Sequence, residues 1–94
     1  MLAPMQFEWD EAKSRANLKK HGLDFELAAE AFADPYRITA RSDGSYEEER
    51  WMTIALVRNG ELVVIYTERG ESTRIISARK AERYERERYW KSRV

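Results

Sequence analysis

The residues with the means to do chemistry in this chain are cations, and two of them bracket one β-branched run. Arg74 opens and Arg79 closes the stretch Arg74-Ile75-Ile76-Ser77-Ala78-Arg79, with Lys80 directly after it. Far upstream, Lys20 and His21 end a helix-like segment before Gly22, and Arg50 and Arg69 flank the most β-rich part of the chain. Histidine is the side chain whose ordinary titration lies nearest neutral pH, and His21 is the only one. Cysteine is absent, which removes thiolate nucleophiles, thiolate metal sites and disulfides. Glycine-rich phosphate loops, His-Glu-x-x-His and a serine triad order are missing as well. Cations, tyrosines, one histidine and carboxylates suffice to cleave RNA. A base takes the 2′-hydroxyl proton, an acid protonates the leaving 5′-oxygen, and arginines stabilise the phosphate charge. That chemistry calls for no metal and no cofactor. His21, Arg74 and Arg79 are the candidate catalytic residues, and Lys20, Arg50, Arg69 and Tyr66 the candidate RNA-binding ones.

At 94 residues the chain has the size of a single domain, 1–94. Its 17 lysines and arginines equal its 17 aspartates and glutamates, so any affinity for nucleic acid must come from a local patch. No run approaches the ~18 apolar residues of a membrane span, and residues 1–5 lack the basic start of a signal peptide. A soluble, cytoplasmic protein is expected.

The elements that must position these groups are legible in outline. Phe7 and Trp9 alternate with Gln6 and Glu8 as in a short half-buried strand. Asp10 and Gly22 have the chemistry of an N-cap and a helix end, which predicts a helix over 11–21. On it Lys13, Asn17, Lys20 and His21 share an arc of roughly 100°, either a solvated face or a phosphate-facing one. Asp24 caps a second helix whose stripe of Phe25, Ala28, Ala29 and Phe32 reads as core, stopped by Asp34-Pro35. Residues 36–41 read as a strand, and Ser42-Asp43-Gly44-Ser45 as a loop. Residues 80–92 read as a last helix, with Glu82–Arg86 and Glu87–Lys91 as supporting pairs, Ala81, Tyr84, Glu85 and Tyr89 on one face and Trp90 nearly opposite. An aromatic away from its helix's packing face is a candidate partner contact.

Between them, residues 50–57 and 61–69 read as a hairpin turning on Asn59-Gly60, the preferred pair for a two-residue type I′ turn. That turn sets Val57 opposite Leu62 and Arg50 opposite Arg69. Met52, Ile54, Leu56, Val63 and Ile65 then share an aliphatic face for the helices to cover, while Trp51, Thr53, Ala55, Val64 and Tyr66 share a partly open one. A second tight turn at Gly70-Glu71 sets Arg74 opposite Thr67 and Ile76 opposite Ile65, and so sends Arg74 and Arg79 to opposite faces. Like charges facing one another on a sheet are destabilising. An anion is therefore expected near Arg50, Arg69 and Arg74: Glu8, Asp10 or a phosphate. The expected architecture is α+β, a small antiparallel sheet with two N-terminal helices and a C-terminal helix.

Taken in order, Phe7-Glu8-Trp9-Asp10-Glu11-Ala12-Lys13, Lys20-His21-Gly22, Asp34-Pro35, Glu49-Arg50-Trp51, Tyr66-Thr67-Glu68-Arg69-Gly70 and Arg74-Ile75-Ile76-Ser77-Ala78-Arg79-Lys80-Ala81 resemble the BrnT family of bacterial toxins. The resemblance implies a RelE-like fold and ribonuclease activity that arrests translation. It also implies neutralisation by a BrnA-type antitoxin, which would reach DNA itself and form a heterotetramer with the toxin. Trp51 and Trp90 are the candidate contacts for that partner. The competing reading is a non-catalytic interaction module acting in transcriptional autoregulation through a DNA-binding partner.

Overall fold

A computed structural model describes residues 5–42, 48–58 and 60–93. The chain forms β1 (Gln6–Glu8), α1 (Glu11–His21), α2 (Phe25–Ala29) with a 3-10 turn (Glu30–Ala33), β2 (Ile38–Arg41), β3 (Trp51–Val57), β4 (Gly60–Arg69), β5 (Ser72–Lys80) and α3 (Arg83–Ser92). The five strands make one sheet in the order β1-β5-β4-β3-β2. The sheet is mixed, not antiparallel as expected, because β1 runs parallel to β5. With α1 between them in sequence, the chain leaves β1 and returns to pair alongside it only after the hairpin strands are in place.

The expected caps form. Asp10 Oδ1 accepts from the Ala12 and Lys13 N–H groups at 2.9 and 3.2 Å, and Asp24 Oδ1 from Leu27 N–H at 2.9 Å. Gly22 ends α1 in the left-handed conformation, φ 75°. The packing face of α1 is polar: Ser14 and Asn17 are its buried residues, and Ser14 Oγ accepts from Phe25 N–H at 2.9 Å. Asn17 therefore leaves the cationic arc with Lys13, Lys20 and His21, which are exposed.

Two registers differ from expectation. The β3–β4 ladder pairs Val57 with Gly60, so the turn sits one residue earlier than Asn59-Gly60 and each partner moves by two. Asn59 lies outside the described residues, as do Asp43, Gly44 and Ser45 of the expected loop. A shift of two preserves the faces. Their coverage, however, is the reverse of the one expected. Phe25, Ala28 and Phe32 pack on the face of Ala55, Val64, Tyr66, Ile75 and Ala78, where small sheet residues leave room for two helix aromatics. Among the described residues, the aliphatic face with Ile54 and Val63 is covered by Ala81 and by Tyr89 of α3, and Met52 and Ile65 stay half-buried.

The second departure is a β-bulge in β5. Tyr66 pairs with Ile75 but Ile65 with Ser77, which leaves Ile76 without a partner. Each residue after the bulge changes face. Ala78 joins the helix-covered core, and Arg79 comes level with Val63 on the α3 side. Arg74, level with Thr67, is on that side too.

α3 starts at Arg83, later than expected, after a capping box in which Glu85 accepts from Glu82 N–H at 2.8 Å. The expected supporting pairs are replaced: Glu87 bonds Arg83 at 3.0 Å, and Arg86 donates to Ala81 O at 2.7 Å. Asp34 anchors the far end of the helix. Its carboxylate accepts from Leu56 N–H at 2.8 Å, Tyr36 N–H at 2.9 Å and Tyr89 Oη at 2.5 Å, which ties the 3-10 turn, β3 and α3 together.

Candidate functional site: the open half of the sheet

The face that carries α3 is only half covered, and pairing across the strands arranges its open half in rows. Nearest α3, Ile38, Ile54, Val63 and Arg79 are level. The next row is Ala40, Met52, Ile65 and Ser77, all half-buried. Beyond it come Thr67, Arg74 and Glu8, and one further step of the β3–β4 ladder brings Arg50 level with Thr67. Rows on one face are two residues apart, ~7 Å along the strands. The result is a shallow apolar floor bounded by arginines on one side and by α3 on the other.

Arg50 and Arg74 thus flank Thr67 rather than Arg50 facing Arg69. Thr67 is buried, and its hydroxyl donates to Glu49 O at 2.7 Å, which fixes the chain just before Arg50. The anion expected beside Arg74 is Glu8, whose Oε2 lies 4.0 Å from Arg74 Nη1. Arg69, mostly exposed, pairs with Glu48 at 3.5 Å.

Arg79 is differently placed. Its Nη1 and Nη2 donate to both oxygens of Glu85 at 2.8 and 2.9 Å, and the Glu85 side chain is 2% exposed. Hydrogen bonds from Arg79 hold the Glu85 carboxyl below the usual carboxylate range, against the upward push of burial. A guanidinium whose planar face of donors is already engaged by a buried carboxylate serves first to seat α3.

His21 and Lys20 do not join these rows. α1 begins beside the Glu8–Arg74 pair and follows β5 past Ala78, which Asn17 touches. Its eleven residues set His21 ~16 Å further along. Tyr66 is 7% exposed on the opposite face, edge-on to Phe32 with ring centroids 4.9 Å apart, and burial raises its pKa. Trp51 is half-buried on that same face, with Arg41 5.5 Å from its ring. Trp90 is 43% exposed on the outer flank of α3, where Nε1 donates to Glu61 at 2.7 Å. Arg93 lies between its ring and that of Tyr36, at 4.8 and 4.2 Å.

Sequence reasoning missed Ser77, Met52, Ile65 and Arg88 as parts of this surface. Arg88 lines a small depression with Ile38, Ala40 and Met52, and Tyr84, one turn before it on the same flank of α3, is 64% exposed. The alternation of β5 could reveal Ser77 only with the bulge known. For Arg88 the signal was available, since Tyr84 and Arg88 stand four apart on the helix.

Fold and site together define a small α+β protein that presents arginines around a half-open sheet face. The family model described as the ribonuclease toxin BrnT of type II toxin-antitoxin systems matches residues 9–85. The chain belongs to that family of ribonuclease toxins, which implies an RNA target and an antitoxin protein as partner. No curated protein matches the chain closely enough to add to this. Among the described residues no helix is long and apolar enough to cross a membrane.

Proposed function

We propose that the chain is a metal-independent endoribonuclease that inhibits translation, working in the cytoplasm on the open half of its sheet. The observation that carries this reading is the pairing of Arg74 with Thr67, which sets Arg74 on the same face as Arg50 and the Met52–Ile65 floor. A phosphate over Thr67 meets guanidinium groups from two sides, and the apolar floor receives an adjacent sugar or base. Such groups stabilise charge that builds up on the phosphate as the 2′-oxygen attacks. Arg69 and Arg88 extend the cationic track to either side.

His21 and Lys20 enter as a separate cationic point at the end of α1, which a longer RNA strand reaches around the edge of β5. Under this arrangement His21→Ala cuts a short oligonucleotide as the wild type does. A His21→Ala protein that is inert on the short strand would return the proton chemistry to the histidine.

The test is purified protein with single-stranded RNA in the presence of a chelator. Wild type should cut, and Arg74→Ala and Arg50→Ala should each cut ~10²-fold more slowly. RNA left intact by the wild type would leave the alternative, a non-catalytic module that acts in transcription through a DNA-binding partner. The Tyr36–Arg93–Trp90 cluster favours a protein contact under either reading, because Trp, Tyr and Arg dominate binding hot spots. Together with Trp51 it is the surface offered to a BrnA-type antitoxin, in a heterotetramer that contacts DNA through the antitoxin alone. Trp90→Ala should weaken that complex and leave RNA cleavage intact.

A further inference from the structure

The arginines of the open face can hold a phosphate, but removal of the 2′-hydroxyl proton needs an acceptor beside them. We propose that Glu8 is the general base of this site, a role that rests on the ribonuclease reading above. Glu8 closes the row formed by Arg50, Thr67 and Arg74, because the parallel ladder of β1 on β5 sets it level with Arg74. Its side chain is 40% exposed and that of Arg74 28%, so both are open to a strand lying on the floor. At 4.0 Å the carboxylate neighbours the guanidinium without a tight hydrogen bond to it. Arg74 therefore keeps donors for a phosphate, and Glu8 keeps lone pairs for a proton.

The geometry of β1 makes this placement rigid. Phe7, the alternate residue, packs into the helix-covered core with its ring centroid 5.2 Å from that of Phe32. Since side chains alternate, a locked Phe7 directs Glu8 to the opposite face, toward Arg74. With a phosphate on the remaining N–H groups of Arg74, the 2′-oxygen of the preceding ribose comes within reach of the carboxylate. Glu8 takes the 2′-hydroxyl proton, the 2′-oxygen attacks phosphorus, and a 2′,3′-cyclic phosphate forms as the bond to the 5′-oxygen breaks. The leaving oxygen takes its proton from water, to which this face is open, and Glu8 returns its own proton to solvent.

The competing role for Glu8 is to offset the charge of Arg74, and the two roles predict opposite outcomes for Glu8→Gln. The measurements are kcat on a short RNA and the Kd for the same strand with a 2′-deoxy nucleotide at the cut, which binds but lacks the nucleophile. A general base predicts kcat lower by ~10² to 10⁴-fold, with binding as tight as or tighter than the wild type. Partial recovery is expected in Glu8→Asp, which keeps a carboxylate one methylene shorter. A Glu8→Gln protein that cuts at the wild-type rate or faster overturns the base role, as does one that loses binding with kcat preserved. If Glu8→Gln melts early enough to blur the comparison, Glu8→Asp decides: activity equal to a folded Glu8→Ala control overturns the proposal. Failure of the wild type to cut would remove the ribonuclease reading itself, and an active wild type with an unaffected Glu8→Gln would remove only the base.

Discussion

Replacing Arg79 and Glu85, singly and together, separates an arginine that seats a helix from one that handles substrate. Glu85→Met removes two charge-assisted hydrogen bonds to Arg79 and the bond that caps α3 at Glu82. Breaking a fully buried pair costs ~3–5 kcal/mol. The Arg79 side chain is 36% exposed, and solvent screening therefore lowers that figure to ~2. Loss of the cap adds ~1 kcal/mol, for a total of ~3. In a domain of this size that lowers Tm by ~12–24 °C. Arg79→Met should cost a similar amount, because it strands a nearly buried carboxylate. The double variant Arg79→Met/Glu85→Met removes both charges and should recover ~2 kcal/mol relative to the sum of the single changes. Urea denaturation of the four proteins measures the coupling. Additive losses, with coupling under ~0.5 kcal/mol, would refute the seating role. The folded double variant should still cut RNA, and a folded but inert one would restore Arg79 to the chemistry.

Three further outcomes follow from other contacts. Burial pushes the Asp34 carboxyl up, but hydrogen bonds from Leu56, Tyr89 and Tyr36 outweigh it and hold the pKa below the usual carboxylate range. Its stabilisation is therefore complete above the unfolded value of ~3.9 and is lost as pH falls through the lower folded one; acid titration of Asp34→Asn should show a shallower loss of stability below about pH 4 than the wild type. The same contact pushes the Tyr89 phenol, already raised by burial, to about 12, so Tyr89 should remain un-ionised through pH 10 when followed by ultraviolet absorbance, whereas in Asp34→Asn it titrates earlier. Deletion of Ile76 removes the unpaired residue and leaves Ser77, Ala78 and Arg79 opposite Ile65, Val64 and Val63 in regular alternation, so the variant should keep a cooperative melt, and loss of that melt would overturn the bulge assignment.

What could be read from the chain alone was whatever is encoded locally. The caps at Asp10 and Asp24, the helix end at Gly22 and the Phe25–Phe32 stripe each depend on residues within one or two turns, and each forms as expected. The hairpin strands were legible, and so were the residues sharing each face, since a two-residue shift leaves alternation unchanged. Coverage of those faces was not legible, because it depends on how helix aromatics fit small sheet residues far away in sequence. The bulge leaves no local mark either, as Ile76 is a good strand residue whether or not it has a partner. From that one insertion came the error over Arg79, which was expected on the face opposite Arg74. An anion beside Arg74 was expected from charge alone, with Glu8, Asp10 and a phosphate as the candidates, and Glu8 is the one found there. α1 hid its packing side by using Ser14 and Asn17 where an apolar stripe is the usual signal.

Asn17 has a consequence for how molecules of this protein meet one another. Its amide donates to Ala78 O and its oxygen accepts from Ala78 N–H, at 2.9 and 3.3 Å, so one side chain occupies the ladder position that a neighbouring strand would take. A strand arriving along β1 finds three residues to pair with and then the body of α1. Sheet growth from this edge stops after one short rung set, and the long, flat, unpaired border that seeds fibrils is missing there. A single buried asparagine keeps that edge from polymerising, and Asn17→Ala should register as aggregation on concentration before any loss of RNA cleavage.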